Sequence, residues 1–240
     1  MENVRVDTKT HVSRAEVEGE GSKRKRNARG QGARLTEDIV SGALALIERE
    51  GTDEAVTLRA VAREVGIAAP SIYAHFPDRS AIMLAVVSRV FDELTEAVSL
   101  EVAASADDPV ERLVAGCEAY VAFGLRRPAR YGVLFSEHRG DDDSSWKDYC
   151  KPVAIGPGHS PVLEFGAESF ALLVDAMAGC IAAGCSASTD AVADSTAIWV
   201  ALHGTVTLKT AAPGFPWPEA DDFVRQFVLR LARIGPPRAS

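Results

Sequence analysis

Between Thr57 and Arg79 the chain gathers side chains that can grip an anion without reacting with it. The segment TLRAVAREVGIAAPSIYAHFPDR carries hydroxyls at Thr57, Ser71 and Tyr73, an imidazole at His75, and guanidinium groups at Arg59, Arg63 and Arg79. Each can donate a hydrogen bond that a phosphate oxygen accepts. Each also has a plainer reading on its own: His75 as a packed or capping histidine, Arg59 and Arg63 as solvated cations, Phe76 as packing alone. Bond-making chemistry has no comparable cluster. The histidines (His11, His75, His138, His159, His203) are scattered, and HExxH, GxSxG, P-loop and dinucleotide fingerprints are absent. Cys117, Cys150, Cys180 and Cys185 match no CxxC spacing. His138 beside Asp141, Asp142 and Asp143 has metal-ligand types, but a solvated acidic loop is the simpler account. No metal and no cofactor is expected.

These residues need helices to present them, and the periodicity supplies them. Leu35, Ile39, Ala43 and Ile47 recur every four residues with Val40 and Leu44 beside them, predicting a first helix from Leu35 that Gly51 stops. Thr57 is a good N-cap for a short second helix, LRAVAREV, which Gly66 breaks. Pro70 suits the first turn of a third, and Pro77 ends it. Asp78 caps a longer fourth helix, RSAIMLAVVSRVFDELTEAVSLEVAA. Asp108, Pro109 and Glu111 open a fifth helix to about Arg126, and Pro128 a shorter one to about Phe135. Residues 137–161 are rich in Gly, Pro, Ser and Asp and are expected to form a long loop. Apolar helices follow near 162–184 and 188–211, then a last amphipathic one in EADDFVRQFVLRLARI. The expected class is all-α.

Charge separates the chain into parts. Residues 1–90 hold 14 Lys/Arg against 13 Asp/Glu, and residues 91–240 hold 12 against 21. Six basic residues and no acid fall in 23–34, KRKRNARGQGAR. The acidic bulk would be repelled by nucleic-acid phosphates, so such contacts belong at the N-terminal end. The organisation expected is a disordered tail (1–22), a basic arm (23–34), a helix-turn-helix unit (35–80) and a larger helical domain (81–240). With no apolar run of membrane-spanning length and no signal-peptide pattern at the start, a cytoplasmic location is expected.

A short helix pair with glycine at its turn is a weak signal for a helix-turn-helix, but TLRAVAREVGIAAPSIYAHFPDRSAIMLAVV closely resembles the DNA-binding domain of the TetR family of bacterial repressors. The shared features fall on Thr57, Ala62, Gly66, Tyr73, His75, Phe76 and Arg79, within a match over about residues 35–90. The resemblance implies an N-terminal three-helix DNA-binding domain and a larger helical domain for ligand binding and dimerisation. It also implies phosphate contacts from Thr57, Tyr73, His75 and Arg79, and base-edge contacts from Ala68 to Ser71. Arg59 would reach a base or a phosphate, and Phe76, Ile72 and Val65 would be core. The chain departs from the family where Ser or Thr often opens the recognition helix, because Ala68, Ala69 and Pro70 stand there. Alanine offers only methyl contact to thymine and Pro70 lacks an N–H, so hydrogen-bond readout would rest on Ser71 and Arg59, with the rest read through methyl contacts, DNA shape, and the arm, with Lys25 and Arg26, in an adjacent minor groove.

RPARYGVLFSE (127–137) and IWVALHGTVTLKTAAPGFPW (198–217) resemble a TetR subgroup with a Trp…His-Gly signature, here Trp199, His203 and Gly204. Trp199 and His203 share a helix face. Gly204 is expected to permit a close helix approach, and Ala178, Gly179 and Ala182 to admit a neighbouring helix or a pocket. Candidate pocket residues are Tyr120, Phe123, Tyr131, Leu134, Phe135, Trp146, Phe170, Leu173 and His203, with His203 equally readable as a satisfied core histidine. The partners implied are double-stranded operator DNA, a small apolar or aromatic effector, and a second copy joined through the last two helices. The function implied is a repressor that the effector releases from a palindromic operator. The alternatives are an activator or ligand-independent regulator on the same fold and, poorly supported, an enzyme.

Overall fold

The structure is a computed structural model describing residues 31–135, 161–218 and 220–235. The described residues form nine α-helices: α1 Gln31–Glu50, α2 Leu58–Val65, α3 Ala69–Ile72, α4 Arg79–Ala104, α5 Pro109–Arg126, α6 Pro128–Val133, α7 Pro161–Ala182, α8 Ala191–Ala211 and α9 Ala220–Leu231. A 3-10 turn, Asp53–Ala55, lies between α1 and α2. No strand occurs among the described residues, and one isolated antiparallel bridge joins Ser186 to Ile234.

The helix starts follow from their caps. The Thr57 hydroxyl accepts the Ala60 N–H at 3.1 Å, and the Asp78 carboxylate accepts that of Ala81 at 2.8 Å. Asp108 accepts from both Val110 and Glu111 at 2.9 Å, with Pro109 opening α5. Two elements differ from expectation. Helix α1 begins at Gln31 rather than Leu35, because Thr36 bonds back to the Gly32 carbonyl and this first turn lies against His75. Helix α7 ends at Ala182, where Gly184 adopts φ +73 and the Cys185 N–H returns to the Cys180 carbonyl.

Ile39, Ala43 and Ile47 of α1 are fully buried and pack with Val61 and Ala62 of α2 and with Ile72 and Phe76 in one core. Gly42 permits that approach, since a Cβ there would stand 2.6 Å from Val65 Cγ2. Helix α4 is the spine. Its first half packs on α1, and its length carries one buried stripe, from Ile82 through Val90 to Val98, into the layer of α5 and α7. Helices α8 and α9 pack on α5 from the other side. The sequence expectation of an all-α chain with an N-terminal helix-turn-helix and a larger helical domain agrees with this architecture.

Candidate nucleic-acid interface and the cavity behind it

Helices α2 and α3 meet at Gly66, whose φ of +74 is a left-handed conformation that suits glycine. The Ile67 N–H closes the turn on the Ala62 carbonyl at 2.9 Å. Helix α3 is one turn long, and Ile72 and Phe76 anchor it to the core. Its outer face is open. Tyr73 is 61% exposed, and Ala68, Pro70 and Ser71 are exposed, as are Thr57, Arg59 and Arg63 on α2 and its cap. Ala69 is half-buried, packed against the core. His75 is also half-buried, with Nδ1 held 3.0 Å from the Thr36 hydroxyl. That hydroxyl has one hydrogen. When it donates to the Gly32 carbonyl, it can only accept from His75, so α1 orients the ring.

Arg79 is the exception among the expected phosphate contacts. Its guanidinium donates to the Val56 carbonyl at 2.9 Å, to the Asp53 carbonyl at 2.7 Å and to the Asp53 carboxylate at 3.2 Å. It therefore ties the start of α4 to the turn before α2. A guanidinium carries five N–H donors in a fixed fork, so these bonds turn the group inward. Lys25, Arg26 and Trp146, and all of the loop expected at 137–161 except Pro161, which opens α7, lie outside the described residues.

A cavity of about 590 Å³ opens in the larger layer, between α4, α5, α7 and α8. Of the expected pocket residues, Tyr120, Phe135, Phe170 and Leu173 line it. Phe123, Tyr131 and Leu134 do not, because each is buried in the core, and neither does the half-buried His203, whose ring packs against Tyr131 and Phe135. The sequence reading missed the α4 wall, Phe91, Leu94, Val98 and Val102, together with Leu113, Cys117 and Trp199. The missed signal was the length of the α4 stripe, which continues well past what a three-helix unit can cover. Burial pushes the Cys117 thiol well above its ordinary range, so it serves as apolar wall and not as a nucleophile. Ala178 and Ala182 are exposed and stand outside the cavity.

Behind the aromatic wall runs a polar chain. The Tyr120 and Tyr131 hydroxyls lie 2.8 Å apart, and the Tyr131 hydroxyl lies 2.8 Å from His203 Nδ1. One proton on each hydroxyl completes the chain when Tyr120 donates to Tyr131 and Tyr131 donates to an unprotonated Nδ1. Burial lowers the pKa of His203 and favours the neutral ring, and burial raises that of both tyrosines. Phe135 covers the imidazole with its centroid 4.2 Å away. This is a satisfied histidine one layer behind the cavity. Helix α6, which carries Tyr131, also carries Arg130 toward α1. Arg130 bonds Glu48 of α1 at 2.5 Å and grips both carboxylate oxygens of Glu93 on α4, at 2.8 and 2.7 Å.

A capped, glycine-turned helix pair with an exposed recognition face, built on a larger helical body, defines a helix-turn-helix DNA-binding protein. The chain belongs to the TetR family of transcriptional regulators. Residues 39–86 match the description "Bacterial regulatory proteins, tetR family", and residues 113–231 match "Tetracyclin repressor-like, C-terminal domain". An uncharacterised HTH-type transcriptional regulator of Mycobacterium tuberculosis is 33% identical over 196 residues, which is 82% of this chain and 79% of that one. A protein of unknown function from Rhodococcus sp. RHA1 superposes with a TM-score of 0.66 at 25% identity, covering 83% of this chain and 94% of its own. The TetR family regulator PfmR from Thermus thermophilus shares the fold, with a TM-score of 0.55 at 16% identity over 81% of this chain and 97% of its own. Membership places the chain among transcriptional regulators and not among enzymes. No described helix is long and apolar enough to cross a membrane.

Proposed function

We propose that the protein is a homodimeric repressor that a small apolar or aromatic effector releases from a palindromic operator. The observation that carries this reading is α4. One uninterrupted helix starts beside the recognition helix and forms a wall of the cavity 12 residues further on, at Phe91. A molecule that fills the cavity therefore bears on the element that holds the DNA-binding unit. Helix α6 supports the same coupling, since Arg130 bonds α1 while its neighbour Tyr131 backs the aromatic wall. An effector shifts DNA affinity only as far as it prefers one arrangement over the other.

Thr57, Tyr73 and His75 would bond phosphates, Ala68, Ala69 and Ser71 would face base edges, and Arg59 would reach either. We place the DNA-binding unit at residues 35–80 and the effector and dimer functions beyond it. Dimerisation is supported by exposed apolar residues on α8. Val192, Val200 and Leu208 are each more than half exposed, and a Cβ on Gly204 of the same helix would meet nothing within 4 Å. Gly204 thus makes no close approach among the described residues, and the close helix approach expected of it suits a second copy. Two such units would place their recognition helices roughly 34–36 Å apart on the duplex.

The test is selection of bound duplexes from a random library, followed by titration of the winning sequence. A palindrome with half-sites one turn apart is expected. Enrichment of no sequence, or of a single half-site bound by one chain, would overturn the proposal.

A further inference from the structure

We infer that the cavity takes an amphipathic monoanion, with a long apolar body inside and a single carboxylate on Arg112. This rests on the reading of the cavity as the effector site. The inner end is closed by Leu94, Leu113, Tyr120 and Leu202, all buried, and Cys117 presents only a protonated sulfur. The Tyr120 hydroxyl is already bonded to Tyr131, so the inner end offers a body of hydrocarbon no competing polar demand.

The outer end is different. Ser99, Ala103 and Arg112 are lining residues toward the open side, and Arg112 is the one charged side chain among the described residues that line the cavity. Its guanidinium is held by Asp107 at 2.8 Å, and the Asp107 side chain is 93% exposed. A pair this wet is weak, so an incoming carboxylate can take the fork at little cost. Among the described residues no acidic side chain lines the cavity, which disfavours a cationic ligand. Asp107 and Asp108 beside the rim, and the 21 acidic against 12 basic residues of 91–240, disfavour a multiply charged anion.

The experiment is calorimetric titration of the full-length protein at pH 7.5, without DNA, using dodecanoate, 1-dodecanol and acetate below micellar concentrations. Dodecanoate should bind about fivefold tighter than dodecanol, the upper end for a partly exposed ion pair, and acetate not measurably. Arg112→Gln should abolish the preference and leave dodecanol binding unchanged. Asp107→Asn, which frees the guanidinium, should tighten dodecanoate alone. Equal binding of the two long chains, a preference that survives R112Q, binding of acetate as tight as dodecanoate, or no binding of either long chain would each overturn the inference. In a parallel arm the same compounds are added to the protein bound to its selected duplex: a dodecanoate preference in the calorimeter with no release of DNA here would leave the ligand class standing and remove the effector-release reading. Release of DNA by neutral compounds with no such preference would do the reverse.

Discussion

Arg79 separates a structural from a DNA-contacting role in one residue. The resemblance implies a phosphate contact, but the geometry places its guanidinium on two backbone carbonyls and one carboxylate at 2.7–3.2 Å. The side chain is 29% exposed and that of Asp53 is 20% exposed, so solvent screens this cluster only in part. Hydrogen bonds from a charged group contribute about 1.5–3 kcal/mol, and the abandoned carbonyls regain water only where they are accessible. Arg79→Ala should therefore destabilise the protein by about 2 kcal/mol. Arg79→Lys should recover less than half of that, because a point ammonium cannot span three acceptors. The assay is urea denaturation at one fixed protein concentration, since the stability of an oligomer depends on it. The second readout is the salt dependence of DNA affinity, where each lost phosphate contact lowers the slope by about 0.9. An inward Arg79 predicts lower stability with an unchanged slope. Unchanged stability with a slope reduced by about one would refute the assignment and restore the phosphate contact.

Gly124 lies where α5 meets α8, and a Cβ there would stand 2.5 and 2.9 Å from the Val206 methyls and 3.0 Å from Tyr131 Cδ2. Overpacking of about 1–3 kcal/mol should outweigh the gain in helix propensity of about 1 kcal/mol, so Gly124→Ala should lower the urea midpoint, and a raised midpoint would contradict the packing. His203 has its pKa lowered by burial, so below about pH 6.5 the unfolded chain takes up a proton that the native ring resists. Its contribution is complete above that pH and is lost as pH falls toward the folded value; His203→Gln should lose less stability than wild type between pH 7 and pH 5, and parallel losses would exclude the assignment. Val200→Glu combined with Leu208→Glu should shift the protein toward monomer in analytical ultracentrifugation and weaken operator binding, and an unchanged sedimentation coefficient would place the interface elsewhere. Deleting residues 1–30 removes Lys23, Arg24, Lys25, Arg26 and Arg29 and should weaken DNA binding and flatten its salt slope; identical slopes would exclude the arm from the interface.

Most helix starts were legible because their signals are local. Thr57, Asp78 and Asp108 cap from within a few residues, and Gly66 marks a turn whose left-handed φ few other residues adopt without strain. The buried stripe of α1 was readable for the same reason, since a period near 3.6 is written in the order of the residues. The recognition segment was identified by its resemblance to the TetR DNA-binding domain, and the exposed Tyr73 beside the buried Phe76 sorts it into a surface and an anchor.

The sequence by itself determined helices, caps and the helix-turn-helix, because each depends on neighbours no more than a few residues away. Only the tertiary structure decided which aromatic residues face a cavity. Tyr120 and Tyr131 lie 11 positions apart with hydroxyls 2.8 Å from each other, yet one lines the space and the other stands behind it. It also decided that Arg79 turns inward to a turn 26 residues earlier, and that α4 serves both the recognition unit and the cavity. Burial and pairing across such separations depend on how helices are stacked, and an apolar stripe states that a face is covered without stating by what.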